Sequence, residues 1–364
     1  MSVTILGIGT AMPPHAIAQS EAAELAKAFC CRTEEHARLL PIMYKRTHIR
    51  QRGSVLLDAP GGSPLRQSFF PAFGGNGDQG PSTAQRMQRY AAEAIPLALA
   101  AARTALTESH VAAEQMTQLI TISCTGFMAP GIDVHLIKKL GLAKTVGRTH
   151  IGFMGCHAAL NGLRVAAAMT EADRAARVLL CVVELCSLHF QYGWDTDAVV
   201  TNALFADGAA ALVAAPTSLG TSGDAWRVAA SGSCLFPDSE EAMTWRIGDH
   251  GFEMTLSADM PALLASCVRP WLERWLTQQS LTLRQIQSWA IHPGGPRILS
   301  TIGACLDLPD HALAASREVL ADYGNMSSPT LLFILQRLRV SRAPRPCVAL
   351  GFGPGLVVEA ALLI

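Results

Sequence analysis

Short apolar runs at residues 3–8, 119–123, 178–183, 209–214, 228–231, 289–291, 348–350 and 356–361 have strand length and predict the strands of buried sheets. Between them, residues 91–106 and 160–169 are rich in Ala and Leu and predict helices. Strands that alternate with helices in this way place the chain in the α/β class. Residues 53–81 break the pattern: Gly61-Gly62, Gly74-Gly75 and several prolines follow no period and predict a long surface excursion.

Three landmarks repeat at one spacing. Ser123 and His292 each close an apolar run, Cys156 and Asn325 each precede a helical stretch, and Val178 and Cys347 each open a strand; the members of every pair are 169 residues apart. A duplicated strand-loop-helix-strand unit accounts for all three, with one half at residues 1–215 and the other at residues 216–364. Such a duplication brings Cys156, His292 and Asn325 to one edge of the two units, where α/β folds collect their chemistry.

Composition narrows the function classes. With 29 basic and 29 acidic residues and only 16% charged side chains against the usual ~25%, the chain has no bulk charge for nucleic acid and ample apolar surface for a large core or a subunit contact. Every apolar stretch is interrupted before it reaches bilayer length, and the N-terminus lacks a basic signal region, so no membrane span and no export are expected. Ten cysteines without a C-x-x-C pair argue against a zinc site or a disulfide scaffold and for a reducing, cytoplasmic setting.

Cys156 lies in Gly155-Cys-His-Ala-Ala159, at a glycine before a helix, where unpaired N–H groups and the helix dipole favour thiolate. A small buried cysteine at a tight turn reads equally well from the motif alone. His292, in Trp289-Ala-Ile-His-Pro-Gly-Gly-Pro296, is either a catalytic imidazole or one bonded to backbone. Asn325, in Gly324-Asn-Met-Ser-Ser-Pro329, is either a catalytic donor or a helix N-cap. Brought to one edge by the repeat, the three compose an acyl-transfer site.

These motifs, together with Leu204-Phe-Ala-Asp-Gly-Ala-Ala210 and Gly351-Phe-Gly-Pro-Gly355, resemble those of the type III polyketide synthases, the chalcone-synthase-like enzymes of the thiolase superfamily, in order along nearly the whole chain. The resemblance implies a duplicated thiolase fold layered αβαβα, a homodimer, and iterative decarboxylative condensation of malonyl-CoA onto an acyl-CoA starter. No metal or cofactor beyond the CoA thioesters is implied. Cys156 would carry the chain, His292 would keep its thiol ionised, and His292 with Asn325 would hold the malonyl thioester carbonyl as it becomes an enolate.

Phe205 matches the family's gatekeeping aromatic, and the second gate position holds Met254 rather than an aromatic. Arg46 falls at a phosphate-contacting position for CoA, with Lys45 and Arg50 beside it and Arg52 in the same basic stretch; a solvated basic face is the plainer account of the last three. Cys124, Thr125, Cys186, His189, Trp245, Ser327 and Gly353 are expected to line the elongation cavity, and Ala129 to stand where the family inserts a residue into the partner subunit's cavity. Met254 and Ala129 make the inferred cavity less aromatic and favour an aliphatic starter. The resemblance leaves a pyrone, a resorcinol or a related polyketide as the product. A ketoacyl synthase III-like condensing enzyme and a catalytically silent scaffold homologue are the competing readings.

Overall fold

The computed structural model describes residues 3–59, 65–75, 77–219 and 225–364. The chain opens with β1 (Val3–Ala11), β2 (Ala16–Ala18), α1 (Gln19–Cys30) and α2 (Glu34–Lys45). Short strands β3 (Gln51–Gly53), β4 (Leu57–Asp58) and β5 (Arg66–Gln67) precede the long helix α3 (Thr83–Ser109). Next come β6 (Gln118–Ser123), α4 (Ile132–Leu140), β7 (Gly147–Gly152), α5 (Ala158–Ala172), β8 (Val178–Leu185), α6 (Thr196–Leu204) and β9 (Asp207–Pro216). The remainder runs β10 (Trp226–Leu235), β11 (Met243–Gly248), β12 (Gly251–Leu256), α7 (Met260–Gln278), β13 (Ser288–Ile291), α8 (Pro296–Cys305), α9 (Ala314–Tyr323), α10 (Pro329–Val340), β14 (Cys347–Gly353) and β15 (Val357–Leu363).

Each expected apolar run forms a strand of the large sheet, and the two expected helices extend into α3 and α5. The expected excursion carries the small β4–β5 pair; its Gly61-Gly62 lies outside the described residues. Two features had no apolar run to announce them. Strand β7 is an edge strand whose residues alternate between half-buried and exposed, and the β11–β12 hairpin stands apart from the large sheet.

Nine strands form that sheet in the order β13-β14-β15-β10-β1-β9-β8-β6-β7. Outward from the central β1–β10 pair, the two sides match. β1·β9 and β10·β15 are antiparallel, as are β8·β9 and β14·β15, whereas β6·β8 and β13·β14 are parallel. The spacing seen in the sequence is therefore a structural duplication, with β6 and β8 corresponding to β13 and β14. The halves join through β1 and β10, where Val3, Thr4 and Ile5 pair with Val228, Arg227 and Trp226.

Side-chain alternation along the strands sorts the core into layers. On β8, Leu179, Cys181 and Val183 face one core with α3, while Val178, Leu180 and Val182 face another with α5 and α10. On β14, Cys347 and Ala349 join that same central core, and Val348, Leu350 and Phe352 face a third core with α7 and α8. The result is helices, sheet, the central helices α5 and α10, sheet and helices: the αβαβα arrangement. No described helix is long and apolar enough to cross a membrane, and all ten cysteines are free thiols.

Helix α3 reaches its position because β1 offers it two glycines. A methyl group on Gly9 would lie 2.2 Å from the Ala101 carbonyl oxygen, and one on Gly7 2.5 Å from that of Ala105. Both neighbours are helix backbone and cannot swing aside. Gly9→Ala is expected to lower stability by about 1–3 kcal/mol, the usual range for overpacking, as a reduced urea midpoint. An unchanged midpoint would mean that α3 does not rest on the backbone of β1.

Candidate active site

Cys156 sits in a single 3-10 turn, Gly155–His157, immediately before α5. Gly155 has φ +70°, and a Cβ there would meet Pro354 Cδ at 2.2 Å, so glycine is required on both counts. The turn is wedged between the Gly351–Gly355 segment and Cys124, whose Sγ accepts the Gly155 N–H at 3.1 Å. The Cys156 side chain is 6% exposed, and its Sγ accepts a weak bond from Ser327 Oγ at 3.4 Å.

His292 follows β13 directly, its N–H bonded to Leu350 O at 2.8 Å. Asn325 is held at both ends of its peptide: its N–H donates to Leu204 O at 3.0 Å, and its carbonyl accepts from Ala206 N–H at 2.9 Å. Its Oδ1 accepts the Ser327 N–H at 2.8 Å. Asn325 does not cap a helix, since α10 begins at Pro329 with Ser328 at the cap position. His292 is 1% exposed and Asn325 0%, yet among the described residues neither ring nitrogen of His292 nor Nδ2 of Asn325 has a hydrogen-bond partner. Buried polar atoms without partners are rare and costly, and here three of them belong to residues that line one cavity.

That cavity, about 410 Å³, is lined by Cys156, His292 and Asn325 with an apolar wall that includes Phe205, Met254 and Phe352. A second cavity of about 500 Å³ holds Cys124, Thr125, Cys186, His189, Trp245 and Ser327. Cys156, Phe205, Met243 and Met254 line both. The thiol and the two expected gate residues therefore stand in the partition between them. Met243 was missed from the sequence because nothing in it marks an isolated methionine at the start of a hairpin.

Other expected residues fall elsewhere. Gly353 lines neither cavity; its backbone packs against His157, where a Cβ would lie 2.3 Å from Cδ2. Ala129 is on an exposed loop outside both cavities. Lys45, Arg46 and Arg50 are exposed at and beyond the end of α2, and Arg50 forms an ion pair with Asp322. Arg52 departs from the solvated face expected of it. It is 4% exposed, and its Nη1 donates to Asn202 O at 2.5 Å and Phe205 O at 2.7 Å, which anchors the gate residue by its backbone.

Burial controls the protonation of the site. It pushes the Cys156 thiol up to about 12, against the opposing hydrogen bond from Ser327. The helix-start effect that was expected to favour thiolate is outweighed by this desolvation. Burial, with some help from His157, pulls His292 down to about 3, so the cavity at rest holds a neutral thiol and a neutral imidazole. Glu184, a carboxylate within the apolar strand β8, is pushed up to about 7 by burial although Thr125 Oγ1, Ser328 Oγ and the Cys124 N–H all donate to it.

His189 ties the second cavity together. One ring nitrogen, Nε2, donates to Thr125 O at 2.7 Å, while Nδ1 accepts the Phe252 N–H at 2.9 Å. Trp245 Nε1–H donates to Cys124 O at 2.8 Å from the same hairpin. The hairpin that bears Met254 is thus fastened to the Cys124–Thr125 segment at two points.

The chain is similar to known proteins over nearly its whole length. A sequence-family model for chalcone and stilbene synthases, N-terminal domain, matches residues 2–217, and the C-terminal domain model matches residues 227–364. Among curated proteins, an alpha-pyrone synthesis polyketide synthase-like Pks18 from Mycobacterium tuberculosis is 32% identical across 98% of this chain and 90% of its own. A 1,3,6,8-tetrahydroxynaphthalene synthase from Streptomyces peucetius subsp. caesius is also 32% identical, over 99% and 92%. The crystal structure of PKS-I from the brown alga Ectocarpus siliculosus superposes with a TM-score of 0.93 at 31% identity, covering 99% of this chain and 97% of that one.

Burial pulls His189 down to about 3, and Nδ1 is already an acceptor, so protonation must break the Phe252 contact. A group whose folded value lies below its unfolded value of ~6.5 contributes stability that is present above pH 6.5 and is lost as pH falls toward 3. From this residue the loss between pH 7 and pH 5 is expected to be about 2 kcal/mol. Urea midpoints of His189→Gln should fall less steeply over that interval than those of the parent; parallel curves would show that His189 takes up its proton without leaving its partners.

Proposed function

The chain belongs to the chalcone and stilbene synthase family, and from that premise we propose that it extends an acyl-CoA starter with malonyl-CoA through Cys156, His292 and Asn325. The observation that carries this assignment of roles is the set of unpartnered donors, on His292 and Asn325, lining the cavity that also holds the thiol. Iterative decarboxylative condensation giving a pyrone or related polyketide is the chemistry of the type III polyketide synthases to which the chain is related.

Each role follows from the surroundings. The Cys156 proton passes to the neutral imidazole of His292, and the thiolate so formed attacks the starter thioester carbon. The resulting imidazolium returns the proton to the departing CoA sulfur, leaving an acyl-Cys156. When malonyl-CoA loses CO2, the electron pair of the broken C–C bond moves into its thioester carbonyl and generates an enolate. N–H donors from His292 and Asn325 Nδ2 meet that oxygen; because nothing else occupies them, no protein hydrogen bond has to break first. The enolate carbon then attacks acyl-Cys156 and expels the thiolate, with the extended chain now on CoA. Phe205 and Met254 keep the decarboxylation apolar, which disfavours the substrate carboxylate and favours neutral CO2. Lys45, Arg46 and Arg50 offer cations for the CoA phosphates outside the cavity. Met254 in place of an aromatic suits an aliphatic starter.

A homodimer completes this reading. Phe127, 54% exposed, lies with half-wet Phe153 and Met154 beside the Ala129 loop, an apolar patch of the kind that subunit contacts cover. Light scattering at micromolar concentration should give twice the 38.7 kDa chain mass. A monomer of full activity would contradict it.

The assignment of roles is tested by following two steps in the same samples: acyl-enzyme by intact mass, and CO2 release from malonyl-CoA. Cys156→Ala should form no adduct. Asn325→Ala should load the starter and lose ~100-fold to 1,000-fold in decarboxylation, the usual cost of one oxyanion donor. His292→Ala should impair both steps. If Asn325→Ala fails to load yet releases CO2 at the parental rate, the donor assignment is wrong.

A further inference from the structure

A third cavity lies behind Phe205, on the side away from His292 and Asn325. It lies between α1, Tyr44 of α2, the Arg52–Leu57 segment and Phe70, and it shares only Phe190 and Phe205 with the cavities around Cys156. The mechanism above does not use it. Its wall is apolar, with Leu25, Ala26, Phe29 and Phe70 along it, apart from a few polar groups.

Two of those groups are incompletely satisfied. Arg52 carries a guanidinium that is nearly fully buried without an ion-pair partner among the described residues. Its Nη1 is engaged by the carbonyls of Asn202 and Phe205, and among the described residues its remaining N–H groups have no nearer partner than the Tyr44 oxygen beside them. The guanidinium lies 5.3 Å from the Tyr44 ring centroid and 5.4 Å from that of Phe190. Tyr44 is 1% exposed, and its hydroxyl has no hydrogen-bond partner. Arg52 cannot accept the hydroxyl proton, because a guanidinium only donates. The cavity thus presents an uncompensated positive charge and an unused O–H donor at the end of an apolar enclosure.

We propose that this cavity is a binding site for a medium-chain aliphatic carboxylate, its head group held by Arg52 and the Tyr44 hydroxyl and its tail along Leu25, Phe29 and Phe70. A carboxylate has acceptor lone pairs for both donors and supplies the missing counter-charge; an aliphatic tail matches the wall. The head group would share its guanidinium with the carbonyl of Phe205, which puts the ligand in contact with the anchor of the gate.

The test is a calorimetric titration of the full-length protein with decanoate, in which variants of Tyr44 and Arg52, residues that line neither cavity around Cys156, assign the binding to this cavity. Decanoate should bind saturably, once per chain, and decanol, with the same chain but no charge, at least tenfold more weakly. Tyr44→Phe keeps the ring and should weaken decanoate about tenfold or more, as expected for losing a hydrogen bond to a charged group, while leaving decanol unchanged. Arg52→Gln should abolish the preference for decanoate; should that variant not fold, the Tyr44→Phe and decanol arms still decide. Absence of decanoate binding, equal affinities for the two ligands, or parental decanoate affinity in Tyr44→Phe would each overturn the proposal. The titration involves no turnover, so its outcome is independent of the polyketide reading.

Discussion

The antiparallel pairing of β1 with β10 is the constraint on which the rest of the molecule depends. It is short, three residue pairs, but it makes two related half-sheets into one and gives α5 and α10 a common core between them. Once those helices are packed between the sheets, the turns that lead into them are fixed as well. Cys156 precedes α5 and Asn325 lies just ahead of α10, while His292 leaves the end of a strand on the second side. Three residues far apart in the chain therefore share one cavity without any contact designed only to hold them there.

Dryness governs the chemistry of that cavity. The same desolvation that suppresses the Cys156 thiolate also suppresses the His292 imidazolium, and it leaves donors on His292 and Asn325 free. On the proposed mechanism, transferring one proton between the two residues creates opposite charges in one cavity, which attract more strongly there than in water. The site rests neutral and becomes charged only as substrate engages it. An enolate oxygen arriving in such a place finds donors that are already desolvated and have no protein partners to abandon.

Much of this was legible in the sequence, for reasons that can be named. Buried strands are written as apolar runs, and the duplication shows as a constant spacing because the stretch from β6 to β8 and the stretch from β13 to β14 agree in length. Cys156, His292 and Asn325 inherit that legibility, since their positions are tied to the repeated elements. Other features were not legible because they depend on partners distant in sequence. Arg52 reads as one of several basic residues in a row, and only the fold shows it buried against the carbonyl of Phe205. Gly353 belongs to a glycine-rich motif near the site, yet its small size serves the approach of His157 and not the cavity. The expected thiolate failed on the same ground: the local motif reports the helix start, while the extent of burial is set by the whole molecule.

Phe205 and Met254 belong to a wall with a cavity on either side. Trimming or enlarging either side chain alters both cavities in one stroke. On the proposed reading, starter preference and product length are consequently not separate traits. A lineage that explores new products through these two positions must move diagonally, trading one property against the other, and independent adjustment is left to residues such as Trp245 that touch a single chamber.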